Sequence, residues 1–258
     1  MKVIERDWDW WAYFWRVIHR QTIPHIDEWD RNVVRFITKV LDLKKGEKLL
    51  DLGCGSGEHT RLLAQKGIVC TGIEIAPSLV KYAQKRARQE TVNVKYICKD
   101  MRRMMYKNAF DCCIMVSGTF GFFSDTENVK LLKKIQRLLG PKGKLLLDIR
   151  NAQHPKIYGK TWMELNGGYL LTDSIYHEET HRESGECIFI DESGDVNVQT
   201  EKLKRESHRL YTLSEMKRML RKVKLRFLDA FCGFRLPPIN YRLSYKYNII
   251  IIAEKSCS

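Results

Sequence analysis

Apolar residues recur at helical spacing over residues 33–43. After the polar stretch Lys44-Lys45-Gly46-Glu47 they continue as Lys48-Leu49-Leu50-Asp51-Leu52, which has the length and apolarity of a buried strand. The same exchange then repeats: helical runs over 60–66, 77–90 and 126–139 alternate with apolar runs over 68–75, 94–98, 110–116 and 144–148. Short strands separated by helices of this length predict a parallel sheet covered on both faces, because a parallel neighbour needs a crossover that packs back onto the sheet.

After Asn151 the rhythm changes. Between residues 160 and 209, short alternating runs at 169–176 and 186–190 are punctuated by Asn166-Gly167-Gly168, Ser184-Gly185 and Ser193-Gly194-Asp195, which are turn signals. They predict an antiparallel insertion, a small sheet packed over one edge of the fold. The main pattern resumes where Thr212 and Glu215 form the capping box of a helix reaching about residue 223, and two strands, 226–231 and 247–253, close the chain. A length of 258 residues suits one domain. It divides into an aromatic N-terminal segment (1–31), a core (33–151), the insertion or lid (152–210) and a closing helix with strands (211–258).

Composition narrows this only slightly. With 44% hydrophobic and 29% charged residues the chain is an ordinary folding sequence. No apolar run approaches a membrane span and the N-terminus lacks the apolar stretch of a secretory signal, so the expected location is cytoplasmic. Eight cysteines without a C-x-x-C pair read as buried or incidental thiols rather than disulfides or a zinc site. A net charge of +14 favours anions, whether nucleic acid, an anionic membrane or an acidic small molecule, and does not choose among them.

The chemistry concentrates in Asp51-Leu52-Gly53-Cys54-Gly55-Ser56-Gly57, between a predicted strand and a predicted helix. Glycines at Gly53, Gly55 and Gly57 let the backbone turn sharply and approach a ligand without a Cβ in the way, and the following helix N-terminus offers unpaired N–H groups. Such a loop suits a nicotinamide dinucleotide, a flavin or a plain tight turn equally well. Two further acids narrow the choice. Glu74, followed by Ile75, ends the second strand, where a carboxylate can accept from both hydroxyls of a ribose. Asp100 ends the third, where it can accept from an adenine amino group, with Met101 offering backbone N–H and an apolar flank. Three strand ends thus converge on one nucleoside. Cys54 reads as a small residue in a tight turn.

On these residues the chain resembles the class I methyltransferases. Asp51 to Gly57 is similar to that family's first motif, Glu74 to its ribose-binding acid and Lys99-Asp100-Met101 to its adenine corner; Phe110-Asp111 and Leu138-Leu139-Gly140-Pro141-Lys142-Gly143-Lys144 fit its pattern as well. The resemblance covers roughly residues 33 to 150 and, less tightly, 211 to 255. It implies a three-layer Rossmann-like α/β sheet, mostly parallel with an antiparallel last strand, and S-adenosylmethionine as cofactor, leaving S-adenosylhomocysteine. It also implies that Asp51 and the loop including Cys54 hold the methionine moiety and that Ser117 lies beneath the methyl group. An acid ahead of the glycines, together with the Asp100 corner, argues against a dehydrogenase.

The acceptor side is less specific. Transfer from a sulfonium needs a positioned nucleophile more than covalent help. Ser117-Gly118-Thr119-Phe120-Gly121-Phe122-Phe123 lacks both the Asn/Asp-Pro-Pro-aromatic signature of DNA amino-methylating relatives and the Pro-Cys pair of cytosine-C5 enzymes. A catechol-type metal site would want an acid where Ser117 stands, although Asp148 and Asn151 approach its second half, so no metal is expected. Trp8, Trp11, Phe14, Trp15 and Ile18 share one face of an N-terminal helix. It could staple itself to the domain, cover the cofactor as a flap with Tyr13 or His19 near the reacting atoms, or lie on a membrane. His19, His25, His154, His177, His181 and His208 each read as surface or locally bonded rather than as bases. Should the reaction use a base, His19 and His177 are the first candidates, with Tyr13 as a further catalytic or cofactor-contacting candidate. The expected activity is methyl transfer to nitrogen or oxygen of a small molecule. The alternatives are an RNA methyltransferase that tracks phosphates with Lys217, Arg218, Arg221, Lys222, Lys224 and Arg226, or a non-enzymatic membrane- or partner-binding module. The oligomeric state is open.

Overall fold

The computed structural model describes residues 26–153, 159–165, 168–191, 194, 206–238 and 248–256. Helix α1 (Glu28–Leu41) begins more than a turn ahead of the apolar run that predicts it. Its start is fixed by a reciprocal cap: the Asp30 N–H donates to Asp27 at 2.9 Å and the Asp27 N–H donates to Asp30 at 3.0 Å. This is a capping box made of two aspartates.

The predicted alternation follows. It comprises β1 (Lys48–Leu52), α2 (Glu58–Gln65), β2 (Val69–Glu74), α3 (Pro77–Gln89), β3 (Lys95–Cys98), a 3₁₀ turn at Met101–Arg103, β4 (Phe110–Met115), α4 (Asp125–Leu138) and β5 (Leu139–Ile149). β5 starts earlier than the apolar run 144–148, but its pairing with β4 shifts register between Phe110 and Cys112 and is continuous only from Lys144. The chain continues through β6 (Gly159–Leu165), β7 (Gly168–His177), β8 (Arg182–Asp191), β9 (Glu206–Arg209), α5 (Leu213–Lys222), β10 (Leu225–Cys232) and β11 (Ile249–Lys255). Thr212 and Glu215 cap α5 reciprocally as predicted.

Among the described residues the strands form two sheets, a seven-stranded one ordered β10-β11-β5-β4-β1-β2-β3 and a four-stranded one ordered β6-β7-β8-β9. In the large sheet β1 to β5 pair in parallel and β11 runs antiparallel to β5, the Rossmann-like arrangement with an antiparallel last strand. Its central strands are apolar on both faces: Leu49, Leu50, Ile114, Leu145 and Ile251 are all 0% exposed. Among the described residues a large core lies beneath α4 and α5, a second beneath α1 and α2, and a smaller cluster joins α3 to Tyr96 of β3. Each buried side chain of this size contributes about 1.5–3 kcal/mol.

The small sheet is antiparallel, as predicted, and it sits over the C-terminal ends of the strands of the large sheet. Its polar contacts reach the loops that follow β4 and β5: Arg182 donates to the Phe123 carbonyl at 2.9 Å, the Arg209 N–H to the Gly121 carbonyl at 2.9 Å, and Tyr176 to the Ala152 carbonyl at 3.2 Å. The reason is connectivity. The insertion leaves directly from the C-terminal end of β5 and so rests on the strand ends rather than beside β3 or β10.

Candidate active site

The loop between β1 and α2 is pulled back onto β2, because the N–H groups of Gly53 and Cys54 both donate to the Ile73 carbonyl, at 2.8 and 3.1 Å. Gly53, Gly55 and Gly57 have φ of 73°, 55° and 80°, the left-handed region. Packing adds a second demand at two of them: a Cβ on Gly53 would lie 2.5 Å from Thr119 Cγ2, and one on Gly57 would lie 2.4 Å from the Tyr96 hydroxyl. At Gly55 a Cβ would meet nothing within 4 Å, so that backbone is bare toward open space. Arg61, 0% exposed, holds the loop from behind by donating to the Ser56 carbonyl at 2.7 Å while pairing with Glu90 at 3.2 Å.

Asp51 and Glu74 stand on either side of this loop. The Thr60 hydroxyl, from the first turn of α2, donates to Asp51 at 2.7 Å. Burial pushes the Asp51 carboxyl up to about 6; the Thr60 hydrogen bond and His59 oppose the rise, and Glu74 and Glu58 add to it. Glu74 accepts three backbone N–H groups: Ile75 at 2.8 Å and Ala76 at 2.9 Å on one oxygen, Gly55 at 3.1 Å on the other. Burial raises its carboxyl, and those three donors pull it back. Cys54 fills space against Gly72, and burial lifts its thiol well above the usual range, which removes it as a nucleophile at neutral pH.

These groups surround a cavity of about 250 Å³. Of the residues expected from sequence, Asp51, Gly53, Cys54, Gly55, Glu74, Ile75, Met101 and Ser117 line it. Gly57 shapes the loop without lining. Asp100 does not line the cavity either: its carboxylate is taken by the Arg102 guanidinium at 2.7 Å and caps the 3₁₀ turn through the Arg102 N–H at 2.8 Å. Lys99 and Met101, on either side of it, do face the cavity. Tyr13, His19 and the aromatic N-terminal face lie outside the described residues, as do His25 and His154.

Sequence reasoning missed the cavity wall built by α1 and α2. Trp29, Asp30 and His59 line it; His59 pairs with Asp30 at 3.0 Å, and the Trp29 and His59 rings lie 5.5 Å apart. The signal was present in Asp27-x-x-Asp30, a cap that starts α1 early enough to bring Trp29 to the site.

Ser117, with φ 59°, turns the chain out of β4, and the Gly118 N–H donates to the buried Asp148 at 3.3 Å. Asn248 also donates to Asp148, at 2.9 Å. The next residues, Phe122 and Phe123, line the cavity and are held from outside by the insertion. His208 stacks on Phe122 with ring centroids 4.9 Å apart, and its Nε2 lies 3.0 Å from the Phe120 carbonyl. A carbonyl only accepts, so Nε2 carries the proton. Burial and the nearby Arg150 depress this histidine to about 3, so it is neutral at physiological pH. His177, the candidate base from the insertion, is exposed and contacts Ser184 at 2.7 Å, away from the cavity. His181 pairs with Glu215 at 3.5 Å. Among the described residues no group of three or more His, Cys, Asp or Glu is arranged to hold a metal, and no helix is long and apolar enough to cross a membrane.

Comparison with known proteins bears on the same segment. Residues 49–143 match the family model described as a methyltransferase domain. The ubiquinone biosynthesis O-methyltransferase of Coxiella burnetii is 31% identical over 120 residues, 46% of this chain and 49% of that protein. The chain spans about half the length of the curated relatives it matches. Two solved structures share the fold over nearly the whole chain at low identity. The CcbJ methyltransferase from Streptomyces caelestis has a TM-score of 0.75 and 15% identity, covering 91% of this chain and 94% of that one. CalS10, an amino pentose methyltransferase from Micromonospora echinaspora solved with S-adenosylmethionine bound, has a TM-score of 0.65 and 16% identity, covering 94% and 98%.

Proposed function

From a chain that has the Rossmann-like methyltransferase fold and a methyltransferase domain at its centre, we propose an enzyme that moves a methyl group from S-adenosylmethionine to a nitrogen or oxygen of a small molecule. The observation that carries this reading is the convergence of the β1, β2 and β3 ends on one cavity, with a bare Gly55 backbone and the anchored Glu74 carboxylate facing it. The residues present fit the cofactor. Glu74 has its orientation fixed by three N–H donors and keeps acceptor capacity for ribose hydroxyls, since a carboxylate offers about four lone-pair sites. Met101 provides the apolar flank for a base. Asp51 and the glycine loop suit the charged methionine end, where His59, Asp30 and Trp29 also stand.

When bound, the cofactor supplies a methyl already activated on a sulfonium. The chain's task is then to bring the acceptor in line and to keep water out. Ser117 and Thr119 support the floor of the cavity, and Phe122 and Phe123, braced by His208 and Arg182, form its apolar wall. The small-molecule reading draws support from the names of the relatives, an O-methyltransferase of ubiquinone biosynthesis and an amino pentose methyltransferase.

Calorimetry of S-adenosylhomocysteine binding, followed by incubation of cell extract with methyl-labelled cofactor, tests both parts. Binding with label entering small metabolites is expected. Absence of binding by folded protein overturns the cofactor assignment, and label confined to RNA, lipid or protein overturns the acceptor class.

A further inference from the structure

The insertion sheet has two unlike faces. Toward the body of the protein it turns Leu170, Cys187 and Phe189, all buried. The strand register places Trp162, Leu171 and Ile188 in one cross-strand row on the opposite face, and Tyr169 and Ile190 in the next. Ile175 lies on the same face of β7, two positions beyond Asp173. Trp162 is 69% exposed, Ile175 59%, Tyr169 43%, Ile188 40% and Leu171 38%, and the Trp162 and Tyr169 rings meet edge to face at 5.8 Å.

We propose that this outer face is the interface between two copies of this chain, packed sheet against sheet about a twofold axis. The five side chains expose on the order of 500 Å², within the range of the largest apolar patch on a monomer. They already supply more than half of the roughly 800 Å² that each partner gives to a standard interface. A sheet with one apolar face uncovered also lacks the second layer that sheets need. Charge selects the partner. The molecule carries +14, so two copies repel unless they meet where charge is low. On this face the cross-strand row Lys160, Asp173 and Glu186 holds both signs, and Glu164 flanks Tyr169. A twofold axis through such a row lets Lys160 of one copy meet Asp173 or Glu186 of the other. The same acids repel nucleic acid and anionic membranes. Because His208, on the inner face of the sheet, stacks on Phe122, pairing through the outer face leaves each cavity accessible and braces its wall.

The test is the solution mass of the full-length chain by light scattering and sedimentation velocity at 5–50 μM. The expected species has twice the 30.4 kDa chain mass. Trp162→Glu and, separately, Ile188→Lys should shift it to the monomer with unchanged circular dichroism. Met105→Glu, on a residue 91% exposed in the β3–β4 connection, should leave it a dimer. A wild-type monomer over that range overturns the proposal, as does a dimer that persists in both sheet variants. So does a wild-type chain that stays monomeric in solution but sediments with vesicles of phosphatidylserine and phosphatidylcholine.

Discussion

At the ends of β1 and β2 the cavity wall is largely backbone: three left-handed glycines, two N–H groups on one carbonyl and a carboxylate held by three more. The wall at Phe122 and Phe123 is side chain, kept in place by Arg182, His208 and Arg209, which arrive from about sixty to ninety positions further along the chain. The first kind of wall holds the same atoms whatever the acceptor, since every bond in it closes within β1, β2 and their loops. The second depends on an inserted sheet, so it can be remodelled by exchanging that sheet without touching the cofactor side. Substitutions that separate the two walls should therefore separate cofactor affinity from turnover.

The largest effect is expected at His208, on the insertion side. Its folded-state value is depressed from 6.5 to about 3, so acid protonates the unfolded chain first and draws the protein toward unfolding. The stability this neutral histidine provides is complete above 6.5 and is lost as pH falls toward about 3. The loss is at most about 5 kcal/mol. His208→Gln, whose amide can still donate to the Phe120 carbonyl, should flatten the acid limb of a urea-denaturation series and leave S-adenosylhomocysteine affinity within about twofold. An acid limb that coincides with wild type would show that the insertion is not anchored through this ring.

Next comes Gly57→Ala on the strand-end side. It places a Cβ 2.4 Å from the Tyr96 hydroxyl in a backbone with φ 80°. Positive-φ strain and overpacking together should cost about 4 kcal/mol. Cofactor binding should be lost in any fraction that remains folded. Gly121→Ala meets a comparable clash, 2.4 Å from the Arg209 carbonyl, but in the other wall. It should reduce turnover far more than cofactor affinity, and equal loss of both would break the comparison.

Asp51 tests what the backbone wall gives up for function. Its folded value is raised from 3.8 to about 6, so the folded chain retains a proton that the unfolded chain has released across that window, and stability falls as pH rises through it. Above about 6 the penalty is complete, at most about 3 kcal/mol. Asp51→Asn should raise the melting temperature at pH 8, give no gain below pH 4 and weaken cofactor binding tenfold or more. A variant that is less stable at pH 8 would mean that the Thr60 hydrogen bond outweighs burial.

The difference between the walls also explains what could be read beforehand. The glycine loop, Glu74 and the alternation of strands with helices follow from local patterns, since backbone turns and strand ends are encoded within a few residues of where they act. The capping box at Thr212 was equally local. The Asp27-x-x-Asp30 cap was a local signal that Trp29 and Asp30 belong to α1, but their convergence with His59 depends on α1 packing beside α2, which no spacing records. His208 gave no local sign at all, since its neutrality comes from burial beneath residues 118–122.

The smallest expected effect concerns Asp100, where local pattern and structure diverge. Read from sequence, this carboxylate accepts from an adenine amino group, and its removal should cost a full charge-assisted hydrogen bond, about 1.5–3 kcal/mol. In the fold it is already paired with Arg102, and it caps the turn that presents Met101 to the cavity. The guanidinium beside it holds its carboxyl below the usual range although burial opposes this, which is the signature of a settled ion pair. If Asp100 acts by positioning Met101, Asp100→Ala should weaken S-adenosylhomocysteine binding by only about 1 kcal/mol, the worth of an N-cap. Asp100→Asn, which keeps the cap to the Arg102 N–H, should recover most of that. Arg102→Ala separates the two roles. It frees the carboxylate, so a role as direct adenine acceptor predicts tighter binding, whereas a role in holding Met101 predicts binding that is unchanged or slightly weaker. Calorimetry on the three variants at one pH decides between them, and tighter binding by Arg102→Ala would return Asp100 to the cofactor contacts.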